Sequence, residues 1–279
     1  MNLCDYRELQ VMLQANGFRF SKAKGQNFLT AAWVPERIAE EAGLDRQTGA
    51  VEIGPGVGCL TEQLALRAGK VLAFEVDELL RPVLGVTMHA YDNVELVFDD
   101  ILRRDLKKET EARLPGMRHV LCANLPYNIT TPALTRIYEA RCFDTVTVMV
   151  QKEVAQRLCA RAGERDYGAF SILTQWYGTP EMLFTVGAEC FMPRPKVQSA
   201  VVRIQMREAP PVQAEEKAFF AVVRAAFNQR RKTLANALNG LCGKERAAAV
   251  LADCGLPPAV RGEELSLEEF AAITRALEQ

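Results

Sequence analysis

Five short runs rich in β-branched and apolar residues, Ala50–Ile53, Val71–Val76, Val94–Phe98, His119–Ala123 and Val146–Gln151, are separated by segments long enough for a helix. That alternation constrains the fold more than any other feature of the chain. Strands joined by helix-length crossovers run parallel, so the pattern predicts a mostly parallel sheet covered by helices on both faces. Two further β-like runs, Met182–Val186 and Ala200–Met206, come without a clear helix between them and predict an antiparallel hairpin at one edge.

The rhythm changes at Arg207-Glu208-Ala209-Pro210-Pro211. Beyond it, Glu215–Phe227, Arg231–Leu238, Lys244–Leu251 and Ser266–Leu277 have helical periodicity, the last opened by a Ser266-x-x-Glu269 capping box. We therefore expect a large α/β domain over residues 1–207 and a small helical domain over 208–279. A chain of 279 residues, 49% hydrophobic and 25% charged, can fill a core in each.

Composition also narrows the chemistry. The first residues carry charges where a signal peptide needs an apolar stretch, and no apolar run approaches a membrane span, so a cytoplasmic protein without membrane contact is expected. Eight cysteines are scattered with no C-x-x-C pair, which indicates neither a zinc site nor a disulfide framework. The two histidines, His89 and His119, lie in no nucleophile or metal motif. No metal is expected.

Ligands of open α/β sheets bind outside the carboxyl ends of the strands. After the first strand comes Gly54-Pro55-Gly56-Val57-Gly58, a turn that lets a ligand approach the backbone. Cys59 stands where a dinucleotide fingerprint needs its third glycine, which disfavours a diphosphate cradle of the NAD type. About twenty residues on, Glu75 ends the second strand, where a carboxylate can accept both hydroxyls of a ribose. Asp99-Asp100 at the third end offers an acceptor for an adenine amine. At the fourth end stands Asn124-Leu125-Pro126-Tyr127-Asn128-Ile129. An Asn amide oxygen and a main-chain carbonyl held by Pro126 can accept from an exocyclic amine, and the Tyr127 ring supplies a stacking face.

These four elements in this order resemble an S-adenosylmethionine-dependent methyltransferase that modifies exocyclic amines. Lys24–Leu29, the stretch Phe191-Met192-Pro193-Arg194-Pro195-Lys196-Val197-Gln198-Ser199 and its continuation to Val202, and Phe227–Leu234 look like signature segments of the ribosomal RNA adenine N6-dimethyltransferase family. The match spans about residue 18 to the end and is nearest to the bacterial small-subunit type. The resemblance implies a Rossmann-like methyltransferase sheet with a small helical C-terminal domain, S-adenosylmethionine as cofactor, and dimethylation of two adjacent adenosines near the 3′ end of 16S rRNA. Its partners would be small-subunit rRNA and the immature small ribosomal subunit, met by a monomer.

Residue by residue, the resemblance implies that Asn27 and Leu29 line the cofactor, Gly54 meets it through the backbone and Glu75 holds the ribose. Asp100 would receive the cofactor's adenine amine, with Asp99 as the alternative. Asn124 would touch cofactor and target, with Leu125 or Pro126 supplying the second carbonyl, while Tyr127 and Phe191 flank the flipped adenine. The chain departs from the commoner pattern at Gln198, often acidic, and at Asn128, often aromatic. Two other functions stay open: a resistance-type dimethyltransferase of large-subunit rRNA, and an assembly factor in which methylation is secondary. The Leu after Asn124 and the basic opening of the C-terminal helices favour the small-subunit type.

Net charge is only −1, unusual for a protein that binds RNA. Local clusters answer it. Lys217 to Lys244 contains Arg224, Arg230, Arg231 and Lys232 without an acid, and Phe191 to Arg207 contains Arg194, Lys196, Arg203 and Arg207 without one. Arg19, Lys22 and Lys24 form a third group. Such clusters can track phosphates along a folded RNA.

Overall fold

The computed structural model describes residues 2–18, 26–229 and 231–278. Its centre is a seven-stranded sheet. In chain order the strands are β2 (Thr48–Ile53), β3 (Lys70–Glu75), β4 (Val94–Phe98), β5 (Arg118–Asn124), β6 (Thr145–Gln151), β7 (Gly178–Val186) and β9 (Ser199–Met206), ordered in space as β4-β3-β2-β5-β6-β9-β7. The first five are parallel, and β9 runs antiparallel to β6. All six residues of β2 are buried, as expected of a strand with both faces covered. Helices α1 (Tyr6–Ala15) and α2 (Trp33–Glu41) precede β2, helices α3 (Cys59–Arg67), α4 (Arg81–Thr87), α5 (Leu106–Arg113) and α6 (Thr130–Ala140) make the crossovers, and α7 (Lys152–Cys159) follows β6.

The two late β runs lie side by side at one edge, β9 next to β6 and β7 outermost. Between them the chain forms β8 (Phe191–Met192), which leaves the large sheet and pairs antiparallel with β1 (Phe28–Leu29), setting Leu29 opposite Phe191. The periodicity gave no sign of this two-residue sheet. It brings Phe28 and Leu29 of the first signature segment beside the start of the second.

Packing divides the chain into one unit of Met1–Ala155 with Glu181–Met206 and a second of Gln156–Pro180 with Arg207–Gln279. Residues 156–180, assigned from sequence to the first domain, thus belong with the C-terminal helices. The reason is aromatic packing. Trp176 of α8 (Ala169–Tyr177) lies 4.3 Å, ring centre to ring centre, from Phe219 of α9 (Glu216–Asn228), and the buried Tyr167 hydroxyl donates to the Leu265 carbonyl at 2.8 Å. The remaining helices of this unit are α10 (Leu234–Cys242), α11 (Lys244–Asp253) and α12 (Leu267–Glu278).

The α12 capping box forms as read: Glu269 N–H donates to Ser266 Oγ at 3.3 Å and Ser266 N–H donates to the Glu269 carboxylate at 2.8 Å. Ser266→Ala should therefore destabilise the helical unit by about 0.5–2 kcal/mol, the usual worth of an N-cap hydroxyl. Urea denaturation followed by circular dichroism checks it, and an unchanged midpoint would show that this cap contributes nothing.

Candidate functional site

The parallel strands progress outward from β2 to β3 and β4, and the chain then returns to place β5 on the other side of β2. At such a reversal the loops leaving two adjacent strands diverge and open a crevice at their carboxyl ends. The crevice is walled by Asn27, Leu29, Gly54, Glu75, Asp100, Asn124, Leu125, Pro126 and Tyr127, so the structure gathers nearly every residue singled out for cofactor and target.

Leaving β2, the chain passes through Gly54, Gly56 and Gly58 with φ of 72°, 62° and 98°, a left-handed backbone that only glycine adopts without strain. A Cβ on Gly56 would stand 3.0 Å from the Phe28 ring, so the N-terminal signature packs directly on the turn. The open side of Gly54 faces Pro126, 3.8 Å from where a Cβ would lie. The turn after β2 and the Asn-Leu-Pro-Tyr element after β5 are therefore in contact.

Glu75 closes β3 and is only 5% exposed. Its carboxylate accepts the N–H of Gly56 at 3.2 Å and of Asp77 at 2.8 Å, while Gln26 donates to Asp77 at 2.7 Å and ties the N-terminal segment to the same corner. Burial pushes the Glu75 pKa up, and the backbone donors oppose that shift. The two acids after β4 differ. Both oxygens of Asp99 are engaged, one by the Asp100 N–H at 2.7 Å and the other by Arg104, which donates at 2.8 Å. One Asp100 oxygen accepts the Leu102 N–H at 3.0 Å and the other lies 3.4 Å from exposed Arg103, a longer and looser contact than the Arg104 bond to Asp99.

In the Asn-Leu-Pro-Tyr element the Asn124 Nδ2 donates to the Asn27 carbonyl at 3.2 Å, which settles which end of the amide is the acceptor. Leu125 N–H donates to Met149 of β6 at 3.1 Å. The Pro126 carbonyl accepts from the Ile129 N–H at 3.1 Å and from the Thr130 hydroxyl at 3.2 Å, capping α6. With its lone pairs spent there, the Leu125 carbonyl is the better of the two acceptors left open by the sequence. The half-buried Tyr127 hydrogen-bonds Ser199 at 2.6 Å. Phe191, 4% exposed, stands opposite Leu29 in the small sheet and is not among the residues walling the crevice.

Sequence reasoning passed over Glu52, which is 1% exposed and lies on the crevice wall. Burial, with the neighbouring Glu75 adding to it, raises its pKa to about 8, and among the described residues its Oε2 has no hydrogen-bond partner. An acid embedded in an apolar strand gives no periodic signal, so only the fold exposes it.

On the basic side, Arg194 and Lys196 are exposed after β8, with Arg194 3.8 Å from Glu189. Arg203 is spent structurally: it bridges Glu41 at 3.3 Å and Glu181 at 2.7 Å, so this stretch offers fewer cations to a ligand than its composition suggests. In the helical unit Arg224, Arg231 and Lys232 are exposed. Arg230, Arg19, Lys22 and Lys24 lie outside the described residues.

Comparison with known proteins bears on the family and the fold. A sequence model of the ribosomal RNA adenine dimethylase family matches residues 17–279. A protein named ribosomal RNA small subunit methyltransferase A from Geobacillus sp. (strain WCH70) is 45% identical over 275 residues, covering 96% of this chain and 94% of its own. One of the same name from Streptococcus pneumoniae (strain P1031) is 43% identical and covers 99% and 98%. Among solved structures, the 23S rRNA methyltransferase ErmE superposes with a TM-score of 0.69 at 28% identity, over 91% of this chain and all of that one. A dimethyladenosine transferase from Plasmodium falciparum shares the fold, with a TM-score of 0.76 at 23% identity over 88% and 95%.

Glu52 has a pH consequence. A carboxyl whose folded pKa is raised from 4.5 to about 8 keeps its proton in the folded state after the unfolded chain has released it. The folded protein then binds more protons than the unfolded chain, so stability is lost as pH rises from about 5 to 8. Glu52→Gln, which carries no proton to lose, should flatten that part of the profile. Melting temperatures of parent and variant across this range decide it, and parallel curves would mean that Glu52 is ionised in the fold.

Proposed function

We propose that this chain, which belongs to the ribosomal RNA adenine dimethylase family, transfers methyl groups from S-adenosylmethionine to N6 of two adjacent adenosines near the 3′ end of small-subunit rRNA. The observation that carries the reading is the shared crevice: Asn124 and Leu125, whose acceptors suit an exocyclic amine, line the same cleft as the Gly54 turn, Glu75 and Asp100. The relatives at 43–45% identity, named for the small subunit and matched over nearly their whole length, support that target.

The residues fit the cofactor. The glycine turn presents bare backbone to the cleft, Glu75 is a buried carboxylate with backbone-fixed oxygens for ribose hydroxyls, and Asp100 is an accessible acceptor for an adenine amine. Asn27 and Leu29 close the methionine side. When bound, S-adenosylmethionine supplies a methyl group on a sulfonium, whose carbon–sulfur bond breaks as the bond to N6 forms.

The protein's own part is placement. Adenine N6 is a poor nucleophile because its lone pair is delocalised into the ring. Asn124 Oδ1 and the Leu125 carbonyl, accepting one N6 hydrogen each, favour a pyramidal nitrogen with a directed lone pair. Tyr127 stacks on the base, and Phe191 backs this corner through its pairing with Leu29. The N6 proton becomes acidic only once the new bond has formed and leaves to water, so no side-chain base is needed and positioning supplies the rate. Arg194, Lys196, Arg224, Arg230, Arg231 and Lys232 hold phosphates of the rRNA. We further propose that the substrate is the immature small subunit, that the enzyme acts as a monomer in the cytoplasm, and that the helical unit contributes to RNA binding. Among the described residues no helix is long and apolar enough to cross a membrane.

Asn124→Ala should slow methylation by about 10²–10³, the cost of losing one preorganised polar group at a reacting centre, while the variant still binds subunits through phosphate contacts. Single-turnover assays on unmethylated small subunits, read by primer extension across the 3′ end, test this; dimethyladenosine formed at the parent rate would remove Asn124 from the mechanism. Replacing Arg230, Arg231 and Lys232 together by alanine should weaken RNA binding and flatten its salt dependence by about 0.7–0.9 log units per lost phosphate contact. An unchanged slope would reassign the cluster to a solvated surface.

A further inference from the structure

Tyr127 and Ser199 lie 72 positions apart in sequence, yet their hydroxyls meet at 2.6 Å. Ser199 has no exposed surface and is the first residue of β9, paired with Gln151 at the end of β6, while the Lys152 N–H donates to the Gln198 carbonyl at 3.0 Å. Its backbone is therefore fixed by the sheet. Tyr127, by contrast, sits on a half-exposed turn, and its ring has two torsions to lose. The hydroxyl lies on the axis about which the ring turns, so a hydrogen bond from it to a strand start fixes the first torsion and with it the place where the ring stands.

We propose that Ser199 is a positioning residue: by holding the Tyr127 hydroxyl it fixes the place of the ring on which the target adenine stacks, and it governs the second methyl transfer more than the first. The inference rests on the target pocket assigned above. Unmodified adenine offers two N6 hydrogens, one for Asn124 and one for the Leu125 carbonyl, and these orient the base in its plane. After one transfer a single N6 hydrogen remains, so one of those two constraints is gone. The orientation of the monomethylated base then depends more heavily on the ring beneath it.

Two variants isolate the contact. Ser199→Ala removes the partner, and Tyr127→Phe removes the hydroxyl while keeping the stacking ring, so the second serves even if the first fails to fold. Unmethylated small subunits are treated with parent or variant enzyme, the rRNA is digested, and N6-monomethyl- and N6,N6-dimethyladenosine are quantified by mass spectrometry over time. Each variant should raise the mono-to-dimethyl ratio by about two- to tenfold, the range of one net hydrogen bond. The double variant should be no worse than either single one, since all three lack the same contact. Equal slowing of both transfers with the parent ratio would reduce Ser199 to a structural residue and overturn the inference. So would a shifted ratio in Ser199→Ala alone. If the parent methylates no adenine in this RNA, the assigned function itself falls, and this inference with it.

Discussion

The parallel pairing of β2 with β5 is the constraint on which the site depends. Register sets Glu52 opposite Cys122 in adjacent strands whose onward chains diverge. Because the strands are buried and packed on both faces, their ends cannot shift without disturbing the core, and the loops that follow inherit that rigidity. The Gly54 turn and the Asn124 element are thus held face to face by the sheet, and no flexible side chain has to bring them together.

Around that point the site is closed by backbone contacts from distant segments. Asn27 receives the Asn124 amide, Gly56 and Asp77 hold Glu75, and Met149 anchors Leu125. Each contact uses a main-chain group, whose place the backbone fixes.

Much of this was legible in the sequence. The five parallel strands, the helical C-terminal run and the strand-end residues at Gly54, Glu75, Asp99-Asp100 and Asn124 follow from local periodicity and from motifs at strand ends, both carried by short stretches of chain, whereas Asn27 and Leu29 came from the family resemblance. What escaped was long-range. Nothing around Phe28 announces a partner at Met192, and nothing around Ser199 announces Tyr127. The buried Glu52 sits in an otherwise apolar strand, Arg203 reads as a free cation until Glu41 and Glu181 are seen beside it, and residues 156–180 join the helical unit through aromatic contacts with helices far downstream. Periodicity reports which face of an element is buried, but not what buries it.

The interleaved order of the last strands bears on synthesis. As the chain leaves the ribosome, β7 is made before β9, yet β9 lies between β6 and β7 in the finished sheet. Until β9 emerges, the edge of β6 is unpaired and β7 has no neighbour to join. The helical unit must wait as well, because its first segment, 156–180, precedes β9 and the rest follows it. A nascent chain halted near residue 198 would therefore carry an open hydrophobic strand edge, the kind of surface that recruits other chains or a chaperone.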